Sequence, residues 1–276
     1  MSDSNWIHEF HDSGSAIGYE VLEVLHQERS PFQQIDIYRT RTFGTAMALD
    51  GCWMVTDRDN FIYHEMMSHP ALLSHPAPRD VVIIGGGDCG TLREVARHED
   101  VARIVQIELD ERVTRLSEQF FPELCERNDD PRVELRFEDG IRWMEASGPG
   151  SADVIIVDCT DPVGPAAGLY DVPFFRTCRE TLRPGGILIQ QSESPLFHVE
   201  LLAALRERLP EAGFDAVQHL QFPQPCYPSG WWSATMARRD GQFDVFRNNA
   251  ANRLATRYFH PEMLAAARTL PRFLAG

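Results

Sequence analysis

The chain has 276 residues, 43% hydrophobic and 24% charged, and its 41 acidic against 26 basic residues leave a formal net charge of −15. That size suits one principal domain with a smaller appendage, and the composition excludes a disordered chain. No stretch concentrates arginine or lysine, which makes nucleic acid a poor partner, and no run approaches the roughly 18 apolar residues of a membrane span.

The opening MSDSNWIHEFHDSG has no basic residue ahead of an apolar run and no small-residue cleavage site, which predicts a chain that is not exported. Residues up to about 60 read as strands and turns, through LHQERSPFQQIDIYRT and FGTAMALDGCWMVTD. In the second stretch Asp50-Gly51 lies between apolar and β-branched flanks, the signal of a tight hairpin turn, so a small antiparallel β unit is expected. NFIYHEMMSHPALLSHP then reads as a helix until Pro76 and Pro78, which place a linker near 76–80. From Asp80 the pattern changes to short apolar runs separated by helical segments. VVIIG, RIVQIELD, VELRFEDG, ADVIIVDCTD and GGILIQQSES read as buried strands, with TLREVARH, EQFFPELCER and FHVELLAALRERL as helices between them. That alternation predicts an α/β fold with a mostly parallel, doubly wound sheet, and FDAVQHLQF and WWSATMARR offer an antiparallel hairpin to finish it.

Gly85, Gly87 and Gly90 satisfy G-x-G-x-x-G after a strand and before a helix, whose first turn carries the capping-box pair Thr91 and Glu94. Such a loop lets backbone approach a ligand at the positive end of a helix, although several nucleotide-using enzyme classes share it. Glu108 ends the next strand about twenty residues on, where a carboxylate can accept from both hydroxyls of a ribose. Asp139-Gly140 ends the following strand at the same edge, placed for an adenine amino group or for a simple turn. Asp88 puts a carboxylate inside the loop that would otherwise cradle a pyrophosphate, and an amine-bearing ligand suits it better. ADVIIVDCTDPVGP terminates in Asp158, Thr160, Asp161 and Pro162 at the carboxyl end of its strand. Its two carboxylates could bind a metal, steer an amine or act as acid and base; with no third ligand at a recognisable spacing, amine binding ranks above metal.

HEMMSH is not a zinc-peptidase motif: His64 and His69 are five apart and diverge by roughly 140° around a helix, so they do not share a metal. The six cysteines include no CxxC pair, and reduced thiols in the cytoplasm account for them.

Taken together, SPFQQIDIY, ALDG, FIYHEM, GGGDCGTLRE, DDPRVEL, EDG, VIIVDCTDPVGP, PGG, QSESP and YPSG resemble the polyamine aminopropyltransferases in order and spacing over nearly the whole chain, with bacterial spermidine synthases the nearest likeness. The resemblance implies an N-terminal β-strand domain over 1–62 and a Rossmann-like, class I methyltransferase-type catalytic domain over 63–276. It implies transfer of the aminopropyl group of decarboxylated S-adenosylmethionine to putrescine, with the donor as co-substrate, no cofactor and no metal, by a homodimer or homotetramer. Gln33, Glu108, Asp139, Gly140 and Pro165 match positions that hold the nucleoside part of the donor, beside the Gly85–Gly87 loop. Asp88, His64, Tyr63, Asp161, Gln191 and Tyr227 match the amine and aminopropyl channel, and Asp158 matches the proton acceptor. Cys89, Met54, Asn60 and Cys226 stand where the family more often has glycine, glutamine, glutamate and threonine. The rival readings are another amine acceptor, a putrescine N-methyltransferase, a nicotinamide oxidoreductase and a non-catalytic polyamine-binding protein.

Overall fold

The computed structural model describes residues 5–161 and 164–274, with the side chain of Pro165 also outside the description. The first five strands, β1 (Asn5–Phe10), β2 (Ala16–Arg29), β3 (Gln34–Thr40), β4 (Gly44–Leu49) and β5 (Cys52–Thr56), pair antiparallel in chain order. Asp50 (φ 48°) and Gly51 (φ 87°) both adopt positive φ in the two-residue turn that sets Leu49 opposite Cys52, the hairpin geometry expected of Asp-Gly. The register of β2 against β3 shifts twice, between Val21 and Glu23 and between Val24 and His26, which lets this fourteen-residue strand bend. Leu22 and Val24 are about half exposed on this sheet.

Helix α1 (Asn60–Ser74) is buried on almost every side, as a helix apolar around most of its circumference must be. It leads through the proline-bearing linker into a second sheet of seven strands: β6 (Asp80–Gly85), β7 (Arg103–Glu108), β8 (Val133–Phe137), β9 (Ala152–Asp158), β10 (Leu182–Gln191), β11 (Ala216–Pro223) and β12 (Trp231–Arg238). The order is β11-β12-β10-β9-β6-β7-β8. β8, β7, β6, β9 and β10 run parallel, and β12 and β11 close the edge as the expected antiparallel hairpin, with β12 next to β10. Strand order reverses between β6 and β9, so the crevice at their carboxyl ends is the topological switch point where such sheets bind ligands.

Helices α2 (Gly90–Ala96), α3 (Glu111–Phe120), α4 (Gly140–Ala146), α5 (Val172–Thr181) and α6 (Val199–Glu211) connect these strands. One face of the sheet packs on α1 and α2, and the other on α4, α5 and α6. α3 packs instead against the N-terminal sheet through Val113 and Leu116, joining Ile35, Ile37 and Met47 in a third core. The helix expected over EQFFPELCER lies earlier: α3 ends at Phe120, because Pro122 disfavours helical backbone at Phe121 (φ −130°), and turns follow. The last segment carries α7 (Asn248–Ala251) and α8 (Pro261–Ala267). The Glu65 carboxylate anchors it by accepting from the backbone N–H groups of Arg257, Tyr258 and Phe259. No helix among the described residues is long and apolar enough to cross a membrane.

Candidate active site

The loop after β6 is shaped by β9. Gly86 N donates to the Asp158 carbonyl at 2.7 Å, and a Cβ at Gly85, which also has φ 83°, would collide with that carbonyl. Cys89 then turns left-handed (φ 66°) and is fully buried in front of α2. The capping box expected of Thr91 and Glu94 does not form, because Thr91 sits inside the first turn rather than at the extended position preceding it. Thr91 Oγ1 donates to Asp158 Oδ2 at 2.5 Å, and Glu94 pairs with Arg93, Arg97 and His69.

At the switch point lies a cavity of about 400 Å³. Gln33, Gly85, Gly87, Asp88, Glu108, Asp139, Gly140, Asp158 and Asp161 all line it, with Met47, Leu49, Ile107 and Leu169 as apolar wall. Pro165 belongs to the turn bordering this cavity, and its side chain lies outside the described atoms. Glu108 accepts from Asp110 N at 2.9 Å; burial pushes its carboxyl up to about 7, against that hydrogen bond and with the help of the Asp110 charge. Gln33 Nε2 donates to Asp110 Oδ2 at 2.9 Å, and Ser30 Oγ to the same oxygen at 2.6 Å, which ties the N-terminal sheet to the start of α3. Asp139 caps α4 through Oδ1, accepting from Ile141 N and Arg142 N as the turn reading expects, while its Oδ2 lies 3.7 Å from Arg142 Nε.

Asp158 and Asp88 meet in the middle of the cleft, with His64 behind them. Asp158 receives Tyr63 Oη on Oδ1 at 2.6 Å and Thr91 on Oδ2. Burial raises its proton affinity above the usual carboxylate range, the Asp88 charge adds to this, and His64 and the two hydroxyls oppose it. Asp88 accepts from Gly90 N at 2.8 Å and faces His64 Nε2 at 3.0 Å. Burial pulls His64 down and Asp88 up, but their mutual attraction outweighs both, leaving an ionised pair. His64, expected along the amine channel, lines neither cavity: it sits behind Asp88, in space open only because Gly90 has no side chain. His69 is turned away to His98 and Glu94, as its spacing from His64 requires.

The cleft narrows to an end of about 30 Å³, sharing Cys52, Met54, Tyr63, Asp161 and Tyr227 with the larger cavity. Tyr227 donates to the Met54 carbonyl at 2.7 Å and packs edge-on to Tyr63 and against Trp232. Gln191 lines this end, with its amide donating to Tyr170 Oη at 2.5 Å and Glu193 Oε1 at 3.0 Å. Two acidic residues here had no reading in the sequence. Glu9 lines the pocket, accepts from Trp53 N at 2.8 Å, and is pushed up to about 7 by burial and by Asp161. Glu193 is 1% exposed, adopts φ 61°, and is driven well above the carboxylate range by burial and by the Asp161 carboxylate it faces. QSESP showed Glu193 in sequence, but nothing local marked its positive φ, and Glu9 belongs to no motif. Of the departures from the family pattern, Met54 lines both cavities. Cys226 is buried with its N–H on Asp59, and Asn60 donates to the Thr56 carbonyl.

A family model described as the spermine/spermidine synthase domain matches residues 60–249, and one described as the spermidine synthase tetramerisation domain matches 5–57. A polyamine aminopropyltransferase of Methylococcus capsulatus is 55% identical over 98% of this chain and 95% of its own length, and one of Thioalkalivibrio sulfidiphilus is 52% identical over 98% and 96%. Among solved structures, a spermidine synthase in complex with the transition state analogue AdoDATO superposes with a TM-score of 0.94 at 30% identity, covering 99% of this chain and 94% of that one. The spermidine synthase of Thermotoga maritima gives 0.92 at 30% identity over 99% and 93%. With the two family models together spanning 5–57 and 60–249 and relatives more than 50% identical over nearly their whole length, the chain belongs to the spermine/spermidine synthase family of polyamine aminopropyltransferases.

Proposed function

We propose that the protein is a spermidine synthase, which transfers the aminopropyl group of decarboxylated S-adenosylmethionine to putrescine and releases 5′-methylthioadenosine. One observation carries this reading: Asp88, Asp158 and Asp161 follow one another along a continuous cleft whose described lining contains no arginine or histidine. Such a cleft attracts a sulfonium and alkylammonium groups and repels a pyrophosphate, which disfavours a nicotinamide cofactor. The carboxylate that ordinary S-adenosylmethionine carries would be repelled beside Asp88, which favours the decarboxylated donor over methyl transfer. The acceptor end, closed by Trp53 and Trp232, suits a short diamine such as putrescine.

In this reading Glu108 takes the ribose hydroxyls, Asp139 Oδ2 the adenine amino group, and Gln33, Gly140, Pro165 and the Gly85–Gly87 backbone frame the nucleoside. Asp88, held by His64, takes the donor ammonium. Asp161 and Gln191, with Glu9, take the distal ammonium of the acceptor, Glu193 holds the Gln191 amide from behind, and Tyr63 and Tyr227 wall the acceptor chain. The neutral nitrogen attacks the carbon next to sulfur; the C–N bond forms as the C–S bond breaks, and the bonding pair leaves on sulfur as a neutral thioether. Sulfonium leaves readily, so alignment, worth several kcal/mol, is the main demand, and neither metal nor cofactor is called for. The attacking nitrogen loses its proton to Asp158. An alkyl amine near pKa 10 and a carboxyl near 4 are ordinarily mismatched, and the upward shift of buried Asp158 narrows the gap.

The N-terminal sheet, with Leu22 and Val24 exposed, supports assembly as a homodimer or homotetramer, in line with the name of the family model it matches. Six free cysteines accord with work in the cytoplasm. The test is a mass-spectrometric assay of purified protein with decarboxylated S-adenosylmethionine and an equimolar panel of putrescine, cadaverine, agmatine and spermidine. Spermidine with methylthioadenosine is expected. A different dominant polyamine would overturn the acceptor, and methylated amine from S-adenosylmethionine would overturn the reaction.

A further inference from the structure

Thr91 and Glu94 have the spacing of a helix cap, yet the threonine hydroxyl serves another partner. Thr91 is fully buried, lines neither cavity, and lies 2.5 Å from Asp158 Oδ2. An ionised carboxylate only accepts, so the hydroxyl donates. Tyr63 donates to the other oxygen from α1, so Asp158 is pinned from two helices, one donor to each oxygen. Tyr63 also walls the cleft, whereas Thr91 can reach the chemistry only through Asp158.

The titratable groups around Asp158 are Tyr63 and His64 on α1, Asp88 on the donor loop, Glu108 on β7, the adjacent Cys159 and Tyr227. Burial and Asp88 favour its neutral form, and His64 and the two hydroxyls favour its charged form. A neutral Asp158 could not receive the proton of an attacking amine. Resting on the reading of Asp158 as proton acceptor, we infer that Thr91 is a positioning residue whose hydroxyl anchors Asp158 Oδ2 to α2 and holds the carboxylate ionised, leaving Oδ1 beside Tyr63 to take the proton. Glycine-loop geometry places the site in this fold; the hydroxyl at position 91 adjusts its base.

The experiment compares the parent enzyme with Thr91→Val, which removes the hydroxyl at nearly constant shape, and Thr91→Ser, which retains it. kcat is measured with saturating donor and putrescine from about pH 5 to 9, and the Asp158 carboxyl is titrated by 13C NMR with its signal assigned through Asp158→Asn. Loss of one hydrogen bond to a charged group should move the Thr91→Val titration and the rising limb of kcat upward by about one pH unit, with kcat near neutrality down about tenfold. Thr91→Ser should stay within about threefold of the parent. If Thr91→Val does not fold, Thr91→Ala makes the same comparison. An unmoved titration in Thr91→Val, or an equal shift in Thr91→Ser, would overturn the inference. Substantial turnover by Asp158→Asn would instead remove the proton-acceptor reading beneath it; inactive Asp158→Asn beside an unmoved Thr91→Val removes the Thr91 inference alone.

Discussion

The larger cavity, proposed to hold the donor, is built from consecutive strand ends of one sheet: the loop after β6, Glu108 on β7, Asp139 before α4 and Asp158 on β9. The narrow end, proposed to hold the acceptor, is gathered from Glu9 on β1, Met54 on β5, Tyr63 on α1, Asp161 after β9, Gln191 at the end of β10 with Glu193 bonded to its amide, and Tyr227 before β12. In the first, Glu108 and Asp139 are held by backbone N–H groups, and Asp88 and Asp158 are braced by side chains of the neighbouring helices. The second is held by side chains that reach across long chain separations, such as Tyr227 Oη to the Met54 carbonyl. A region of the first kind tolerates change outside its motif. In the second kind, one substitution should disturb several partners and leave donor binding intact.

The largest expected effect lies where the halves meet. Asp158→Asn should lower kcat by about 10³-fold with smaller changes in either KM; near-normal turnover at all pH values would break the assignment. On the donor side, Glu108→Gln should raise the donor KM about 10- to 100-fold and leave the putrescine KM within about threefold, read from initial rates against each substrate. The mirror experiment is Glu9→Gln, expected to raise the putrescine KM about tenfold with the donor KM unchanged. Its pH dependence sharpens the contrast. Glu9, raised to about 7, is ionised and attractive to an ammonium above that pH and neutral below it. The parent's putrescine KM should therefore rise as pH falls through about 7, and Glu9→Gln should flatten the change in that window; an unflattened profile would take Glu9 out of the acceptor site. The smallest effect is a reference outside both halves: the exposed Glu111–Arg115 pair on α3, where Glu111→Gln should change stability by about 0.3 kcal/mol in urea unfolding and leave both KM values alone.

Legibility in the sequence follows the same division. The apolar runs from VVIIG to GGILIQQSES marked five parallel strands, because a strand buried on both faces has no room for polar alternation. Gly85, Glu108, Asp139 and Asp158 could be placed at one edge, since parallel strands end on the same side. The helix over EQFFPELCER was placed too late because Pro122 outweighs its apolar spacing, and the Thr91–Glu94 cap failed because the left-handed turn at Cys89 moves the helix start.

By itself the sequence determined the strand-and-helix alternation, the Asp50-Gly51 hairpin, the donor loop and the acids at the strand ends, all governed by interactions within a few residues. Only the tertiary structure decided that β12 pairs with β10, that Glu9 reaches the narrow end of the cleft, that Tyr227 bonds to the Met54 carbonyl, that His64 works from behind Asp88, and that Thr91 grips Asp158. These pairings join distant segments, with Tyr227 lying 173 residues from Met54. Local periodicity and turn chemistry carry no information over that range; which side chains meet is settled by closing the core.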